Sequence, residues 1–478
     1  MAIEEEAQLS THGVAQFVAN SDWQALPPAV RDRATVHLLD TIGVLVAGSQ
    51  APASAIARSM ILGDEMGYSA LGRSGQAFAD AMSASALDFD DGHVGGGGIH
   101  PSAVIIPTLL ASSRGRDVRG ADLLAAYVAG YEVAVRVGRL LYPRASTDRY
   151  HCAGTAACVG AAAAGARVQT RDAETIERAI EVAFAHAPMA AFQLPMVKES
   201  MGWSASTATF AVELALAGFK RVGEGRSLSV GPIAFGLPTP FDDAEGDAAD
   251  FASGLGARFE ILHGYIKPFA CCRYIHSAVE CLLHLVQQRH IMPDDIETIK
   301  VRTHRGASQL DDRRPASIDH AQYSIPFVLG SVVARGVDGA IDLVASRLDD
   351  AEILRFADRV EVIHFGEFDT YVPDSYPAEL EIVTADGGTS VASRIDSLGD
   401  DGRPLTRAQV EAKFDRNVSS VTSAEHAAEL RDACASLSSD SALSLVSLVD
   451  LTTTHATSAD GDDGGARGRQ SERPRVDI

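Results

Sequence analysis

Between Ala86 and Pro107 the chain reads ALDFDDGHVGGGGIHPSAVIIP, placing Asp88, Asp90, Asp91, His93 and His100 around four consecutive glycines. Residue types of this kind serve three chemistries: a metal centre, a phosphate-binding loop, or an acid/base site for an anionic substrate. A phosphate loop requires Gly-Lys-Ser/Thr and a following helix, whereas these glycines run into Ile99-His100-Pro101 without a lysine. A metal centre would draw on three carboxylates and two imidazoles. Neither a His-x-x-x-His nor a two-His-one-carboxylate spacing is present, and on regular structure the adjacent Asp90 and Asp91 would point apart. Taken alone, the glycines are read as a tightly turning loop.

Other polar residues interrupt otherwise apolar segments. DRYHCAGTAAC sets His151 before a run of small residues, close to a helix N-terminus where anions bind well. LPMVKESMGWS sets Lys198 before another helix, and YIKPFACCRYIHSA brings Lys267, Arg273 and His276 together. A single histidine beside an apolar helix is usually structural. Several cation-rich helix entries together suit a pocket for a multiply charged carboxylate, with histidines to move protons near neutral pH. Asp91, His93, Arg273 and His276 are candidates for substrate binding, or in the case of Asp91 and His93 for fixing the loop.

Composition narrows the classes. A net charge of −23 argues against nucleic acid or an anionic membrane as partner. Six cysteines in 478 residues, with no Cys-x-x-Cys pair, leave zinc ribbons and most iron–sulfur clusters without ligands. Lysine is scarce: Lys198, Lys220, Lys267, Lys300 and Lys413 are all there are, against 41 basic residues in total. In such a chain a lysine marks a position worth inspecting, because lysine can lose its proton and arginine cannot. No apolar run is long enough to span a membrane, and MAIEEEAQLS lacks a signal-peptide layout, so a cytoplasmic location is expected.

The elements that would position these groups are mostly helices. PPAVRDRATVHLLDTIGVLVAG opens with prolines suited to a first turn, and GADLLAAYVAGYEVAVRVGRLL, AETIERAIEVAFAHA and SASTATFAVELALAGF carry helical apolar spacing. CAGTAACVGAAAAGA, almost all small residues, lets neighbouring helices approach closely. After residue 265 the texture changes. The segment CRYIHSAVECLLHLVQQRH is helical, and ETIKVRTHR, RVEVIHF and AELEIVTADGGTSVASRID read as strands, the last folded at Asp-Gly-Gly. Helix returns at 405–417 and 423–437. The fold class expected is mainly α with an α+β second domain. Residues 1–265 and 405–450 form the helical part, 266–404 the α+β part, and 451–478 a disordered, polar tail.

LLDTIGVLVAG, ALDFDDGHVGGGGIHPSAVIIP, RYHCAGTAACVGAAAA, VKESMGWSASTATFAVELALAGF, KPFACCRYIHSA and AQYSIPFVLGSVV fall in order along the chain. As an ordered set they resemble the MmgE/PrpD family, which includes 2-methylcitrate dehydratase, cis-aconitate decarboxylase and iminodisuccinate epimerase. The resemblance implies a discontinuous helical domain with an inserted α+β lid, a homodimer, chemistry without metal or cofactor, and a di- or tricarboxylate substrate. Its active-site residues would fall on Asp88, His100, His151, Lys198 and Lys267. It also implies roles: the two lysines hold carboxylates, one histidine takes a proton and the other gives one, and Asp88 orients a histidine. Dehydration of a 2-methylcitrate-like substrate is the leading expectation, with decarboxylation, epimerisation or a non-catalytic scaffold as alternatives. Two departures touch residues expected near the substrate. Gly92 stands where the family often has Thr, and Phe327 where it often has Tyr, with Tyr323 earlier in the segment.

Overall fold

The structure is a computed structural model and describes residues 11–62, 72–141, 150–191, 198–219, 254–341 and 348–458. Its first half is a packed set of helices, chiefly Pro28–Gly48, Gly72–Ser85, Ser102–Ser113, Gly120–Leu141, Cys152–Gln169 and Glu199–Leu216. Proline at the start of Pro28–Gly48 presets φ where no N–H is needed. The small-residue helix Cys152–Gln169 lies against Gly120–Leu141, Ser102–Ser113 and Glu199–Leu216. A Cβ on Gly130 would sit 2.5 Å from the Gly160 carbonyl oxygen, and one on Gly160 2.3 Å from that of Gly130. The helix axes can approach this closely only because both positions are glycine.

The second half holds a four-stranded mixed sheet in the order Val360–His364, Ile296–Thr303, Ala378–Thr384, Thr389–Arg394. Ile296–Thr303 runs parallel to Val360–His364 and antiparallel to Ala378–Thr384. The last two strands form the hairpin expected at Asp-Gly-Gly, where Gly387 has φ 84° and Asp386 accepts the Gly388 N–H. A parallel pair needs a long crossover. Here the crossover contains the helix Ile325–Arg335 and, just before it, Gln322 and Tyr323, which reach back into the helical part. Helix His276–Arg289 covers one face of the sheet, over the buried Leu380 and Ile382.

The chain then returns to the first half. Helix Arg407–Ser419 packs on Pro28–Gly48, and Ala442–Ser458 packs on Pro28–Gly48 and Ser102–Ser113. The second of these corrects the expected start of the tail. The helix continues through 451–458, where Thr453 is buried and accepts a 2.5 Å hydrogen bond from the buried Arg58, itself paired with Asp80. Arg114, which contacts both Asp80 and Asp450, ties the same helix down. Residues 459–478 lie outside the described residues. Among the described residues, no helix is long and apolar enough to cross a membrane.

Candidate active site

The acidic stretch leaves helix Gly72–Ser85 as a loop in which each carboxylate takes a different partner. Asp88 is buried and has φ 50°, a left-handed conformation uncommon outside glycine but tolerated by Asp. That turn aims its carboxylate at two ammonium groups: Lys198 Nζ lies 2.6 Å from Oδ1 and Lys267 Nζ 3.0 Å from Oδ2. The Tyr323 hydroxyl donates to Oδ1 at 3.3 Å. Lys198 is the residue that enters helix Glu199–Leu216, and Lys267 follows Tyr265, whose backbone pairs with Gly92. Burial alone would raise the Asp88 carboxyl. The charges of Lys198, Lys267 and His100 outweigh it and hold the group well below the usual carboxylate range. Burial likewise opposes the charge on Lys267, but Asp88 and Asp90 raise it above the ordinary lysine value. Lys198 and Lys267 thus share the Asp88 carboxylate in a buried place.

Asp90 turns to His100, whose Nδ1 is 3.0 Å from Asp90 Oδ2 and 2.9 Å from the Asp91 carbonyl oxygen. Both neighbours are acceptors, so Nδ1 carries the proton. In the neutral ring Nε2 is then an open lone pair, and no described residue hydrogen-bonds it. Burial would raise Asp90, and the His100 charge and hydrogen bond bring it below its ordinary value. Of the two expected histidines, His100 is therefore contacted by Asp90 and not by Asp88. Asp90 orients the imidazole, and Asp88 neutralises the lysines.

The glycines explain how His100 returns to Asp90. His93 pairs with Ile99 across a short 3-10 turn, Val94–Gly96, and Gly97 and Gly98 take φ 82° and 70°. Only residues without a Cβ make two such steps in succession at little cost.

Asp91 and His93, expected to bind substrate or fix the loop, do the second. Asp91 is fully buried and accepts from Ser102 Oγ at 2.6 Å, from the Ser102 N–H at 3.2 Å and from His37 Nδ1 at 2.7 Å. His93 Nδ1 accepts the Gly96 N–H and Nε2 donates to the Glu260 carbonyl. Burial pushes the His93 imidazole down to about 4, so it is neutral. Neither side chain has an acceptor or donor left for a substrate, because the turn and the helix N-terminus at Ser102 consume them.

Arg273 is paired with Asp400 and lies over the Tyr265 ring. His276 is fully buried, its Nε2 donating to the Cys271 carbonyl, and burial holds it neutral. Its Nδ1 has no hydrogen-bond partner among the described residues, and the charges of Arg273, Lys267 and Asp88 all reach it, so His276 lies beside the Asp88 cluster. The backbone of His151 pairs with Ala190, and its side chain lies outside the described residues. Among the described residues no three His, Cys, Asp or Glu side chains converge as metal ligands. In the opening stretch they diverge, toward lysines, imidazole and backbone.

The two departures acquire physical reasons. A Cβ on Gly92 would lie 2.3 Å from the Tyr265 hydroxyl oxygen, so Tyr265 fills the space that a side chain at 92 would take. Phe327 is fully buried in the hydrophobic core of helix Ile325–Arg335, and Tyr323 is the aromatic that reaches Asp88.

Sequence reasoning missed Asp90 as the partner of His100, and missed Gln322 and Lys413. Gln322 Nε2 donates to the Ala86 carbonyl at 3.0 Å and Lys413 Nζ to the Phe89 carbonyl at 2.7 Å. The scarcity of lysine was a usable signal for Lys413.

Comparison with known proteins gives the family. The MmgE/PrpD N-terminal domain matches residues 12–224 and the MmgE/PrpD C-terminal domain residues 269–438. Similar curated proteins include cis-aconitate decarboxylase of Aspergillus terreus (strain NIH 2624 / FGSC A1156), 22% identical over 83% of this chain and 84% of the relative. Another is the cis-aconitate decarboxylase-like protein oryM of Aspergillus oryzae, 24% identical over 86% and 91%. Human cis-aconitate decarboxylase is 24% identical over 73% of each chain. With both domains matched in order over most of its length, the chain belongs to the MmgE/PrpD family.

Proposed function

We propose that this protein is a lyase acting on a di- or tricarboxylate through a carbanion formed next to a carboxylate. The observation that carries the reading is the pair of buried lysines sharing Asp88 beside the His100–Asp90 dyad. A substrate carboxylate drawn to Lys198 and Lys267 would have its negative charge, and the extra charge of an enolate-like intermediate, offset by fixed cations in a buried site. His100 Nε2 is the group with an open lone pair, and Asp90 with the Asp91 carbonyl on Nδ1 holds the imidazole in that tautomer and orientation.

In the dehydration reading, His100 removes the proton α to a carboxylate of a 2-methylcitrate-like substrate. The hydroxyl on the adjacent carbon leaves with a proton from a second acid, a role assigned to His151, and water is the product. Decarboxylation is the second reading, supported by the names of the relatives. There the C–C bond to a carboxylate of a cis-aconitate-like substrate breaks, CO2 departs, and the electron pair left behind takes a proton from the His100 imidazolium. Assembly as a homodimer forms part of the same proposal, and a sedimentation mass of one chain would refute that part.

The test is a panel of 2-methylcitrate, citrate, cis-aconitate and iminodisuccinate, followed by NMR in D2O with chelator-treated protein. Loss of hydroxyl with formation of an alkene marks the dehydratase, and release of CO2 the decarboxylase. Deuterium exchange without net conversion would replace the lyase reading by an epimerase. No change in any substrate would refute it.

A further inference from the structure

The left-handed turn at Asp88 is held in place largely by bonds to the loop's own carbonyls. Gln322 holds Ala86 O, Lys267 Nζ holds Asp88 O at 3.0 Å, Lys413 Nζ holds Phe89 O at 2.7 Å, His100 holds Asp91 O, and the Tyr265 N–H holds Gly92 O at 2.8 Å. Two consecutive peptide planes are thus fixed by two lysines, the 88–89 plane by Lys267 and the 89–90 plane by Lys413. Between those planes the chain must send Asp88 to Lys198 and Lys267 while sending Asp90 to His100. A sparsely populated φ persists only where the surroundings over-determine it.

Lys413 is equipped for this role. It stands on helix Arg407–Ser419, far along the chain, and is buried. Its ammonium is 2.7 Å from Asp40 Oδ1 on helix Pro28–Gly48 and 3.9 Å above the Phe89 ring. The Asp40 carboxylate and the Phe89 ring together hold the Nζ against the Phe89 carbonyl oxygen.

We infer that Lys413 is a positioning residue of the site, its ammonium fixing the Phe89–Asp90 peptide so that neighbouring carboxylates face different partners. It acts through the loop and not on the substrate. The role rests on the lyase reading only where activity is the measure.

The experiment compares wild type, Asp40→Asn and the double variant Asp40→Asn/Lys413→Met. The double variant removes the ammonium without leaving a buried carboxylate unpaired. Hydrogen exchange is read at the Asp88, Gly92 and His93 amides, which donate to Ser85 O, Tyr265 O and Ile99 O, and as a reference in helix Ala173–His186, which packs on Thr11–Ala19, Cys152–Gln169 and Glu199–Leu216. Relative to Asp40→Asn, the double variant is expected to exchange about tenfold faster at the loop amides alone, the size of losing one buried hydrogen bond. Turnover of whichever panel substrate the wild type converts should fall with it. Unchanged loop exchange would overturn the inference. So would equal acceleration in the reference helix, which marks a merely global contribution to stability. An inactive wild type would refute the lyase reading and leave the exchange comparison standing on its own.

Discussion

Replacing Asp88 with asparagine separates charge from backbone. Asparagine is nearly isosteric and, like aspartate, tolerates the left-handed φ of 50° found here, so the turn itself is not penalised. What is lost is the anion between Lys198 and Lys267. At 2.6 and 3.0 Å each contact has a Coulomb energy of roughly 6 kcal/mol at an effective dielectric constant of about 20. Desolvation of the buried charges cancels much of this, and removing one partner of a buried pair costs about 3–5 kcal/mol. The Asp88→Asn variant should therefore unfold at clearly lower denaturant concentration than wild type. Its two uncompensated ammonium groups should also bind a polycarboxylate more favourably, so that citrate raises its melting temperature more than it raises that of wild type. Turnover should be lost, because the lysines are no longer held in register with His100. Denaturant titration, thermal melts with and without citrate, and the substrate assay measure all three. An Asp88→Asn variant with wild-type stability, wild-type citrate response and wild-type turnover would refute the assignment of Asp88 as the counter-charge of the lysine pair.

His100→Asn should keep the fold and lower turnover by about 10²–10⁴-fold, the usual worth of a positioned acid/base group; near wild-type rates would refute its role. Gly92→Ala should destabilise by about 1–3 kcal/mol through overpacking against the Tyr265 hydroxyl, and adding Tyr265→Ala should recover part of the loss, a non-additivity that unfolding curves measure. The His93 ring, with its folded-state value near 4 against an unfolded value near 6.5, binds fewer protons folded than unfolded across that interval. It therefore contributes stability above pH 6.5 that is lost as pH falls toward 4, about 3 kcal/mol in all. His93→Asn, which keeps an acceptor for the Gly96 N–H, should flatten this part of the stability–pH profile; an unchanged slope would contradict the buried neutral ring. Asp88 has the same sign at lower pH: its folded value is depressed, so its stabilisation is present above about pH 4 and is lost below.

Much of this was written in the sequence. Helical periods of apolar residues placed Gly120–Leu141 at its observed ends, and strand alternation with Asp-Gly-Gly placed the hairpin 378–394, because these signals depend on residues within a few positions of one another. The concentration of carboxylates and imidazoles likewise marked the stretch 88–100 as one where charged and titratable groups gather. The ordered motifs carried the family, and the tail boundary missed only because Thr453 meets a buried arginine that no local pattern announces.

The pairing of charges was decided by tertiary structure alone. One residue's step along an irregular loop reverses the direction of a side chain. Whether Asp88, Asp90 or Asp91 meets an imidazole therefore depends on backbone angles set by distant groups. Those groups lie 110, 179, 235 and 324 residues away in Lys198, Lys267, Tyr323 and Lys413. The same holds for Gly92, whose missing side chain makes sense only beside the Tyr265 hydroxyl, and for Asp91 and His93, which meet His37, Ser102 and the Glu260 carbonyl. Sequence determined which groups were available. The long-range packing of helices and crossover decided which of them face each other, because a buried charge is tolerated only where its partner is delivered to it.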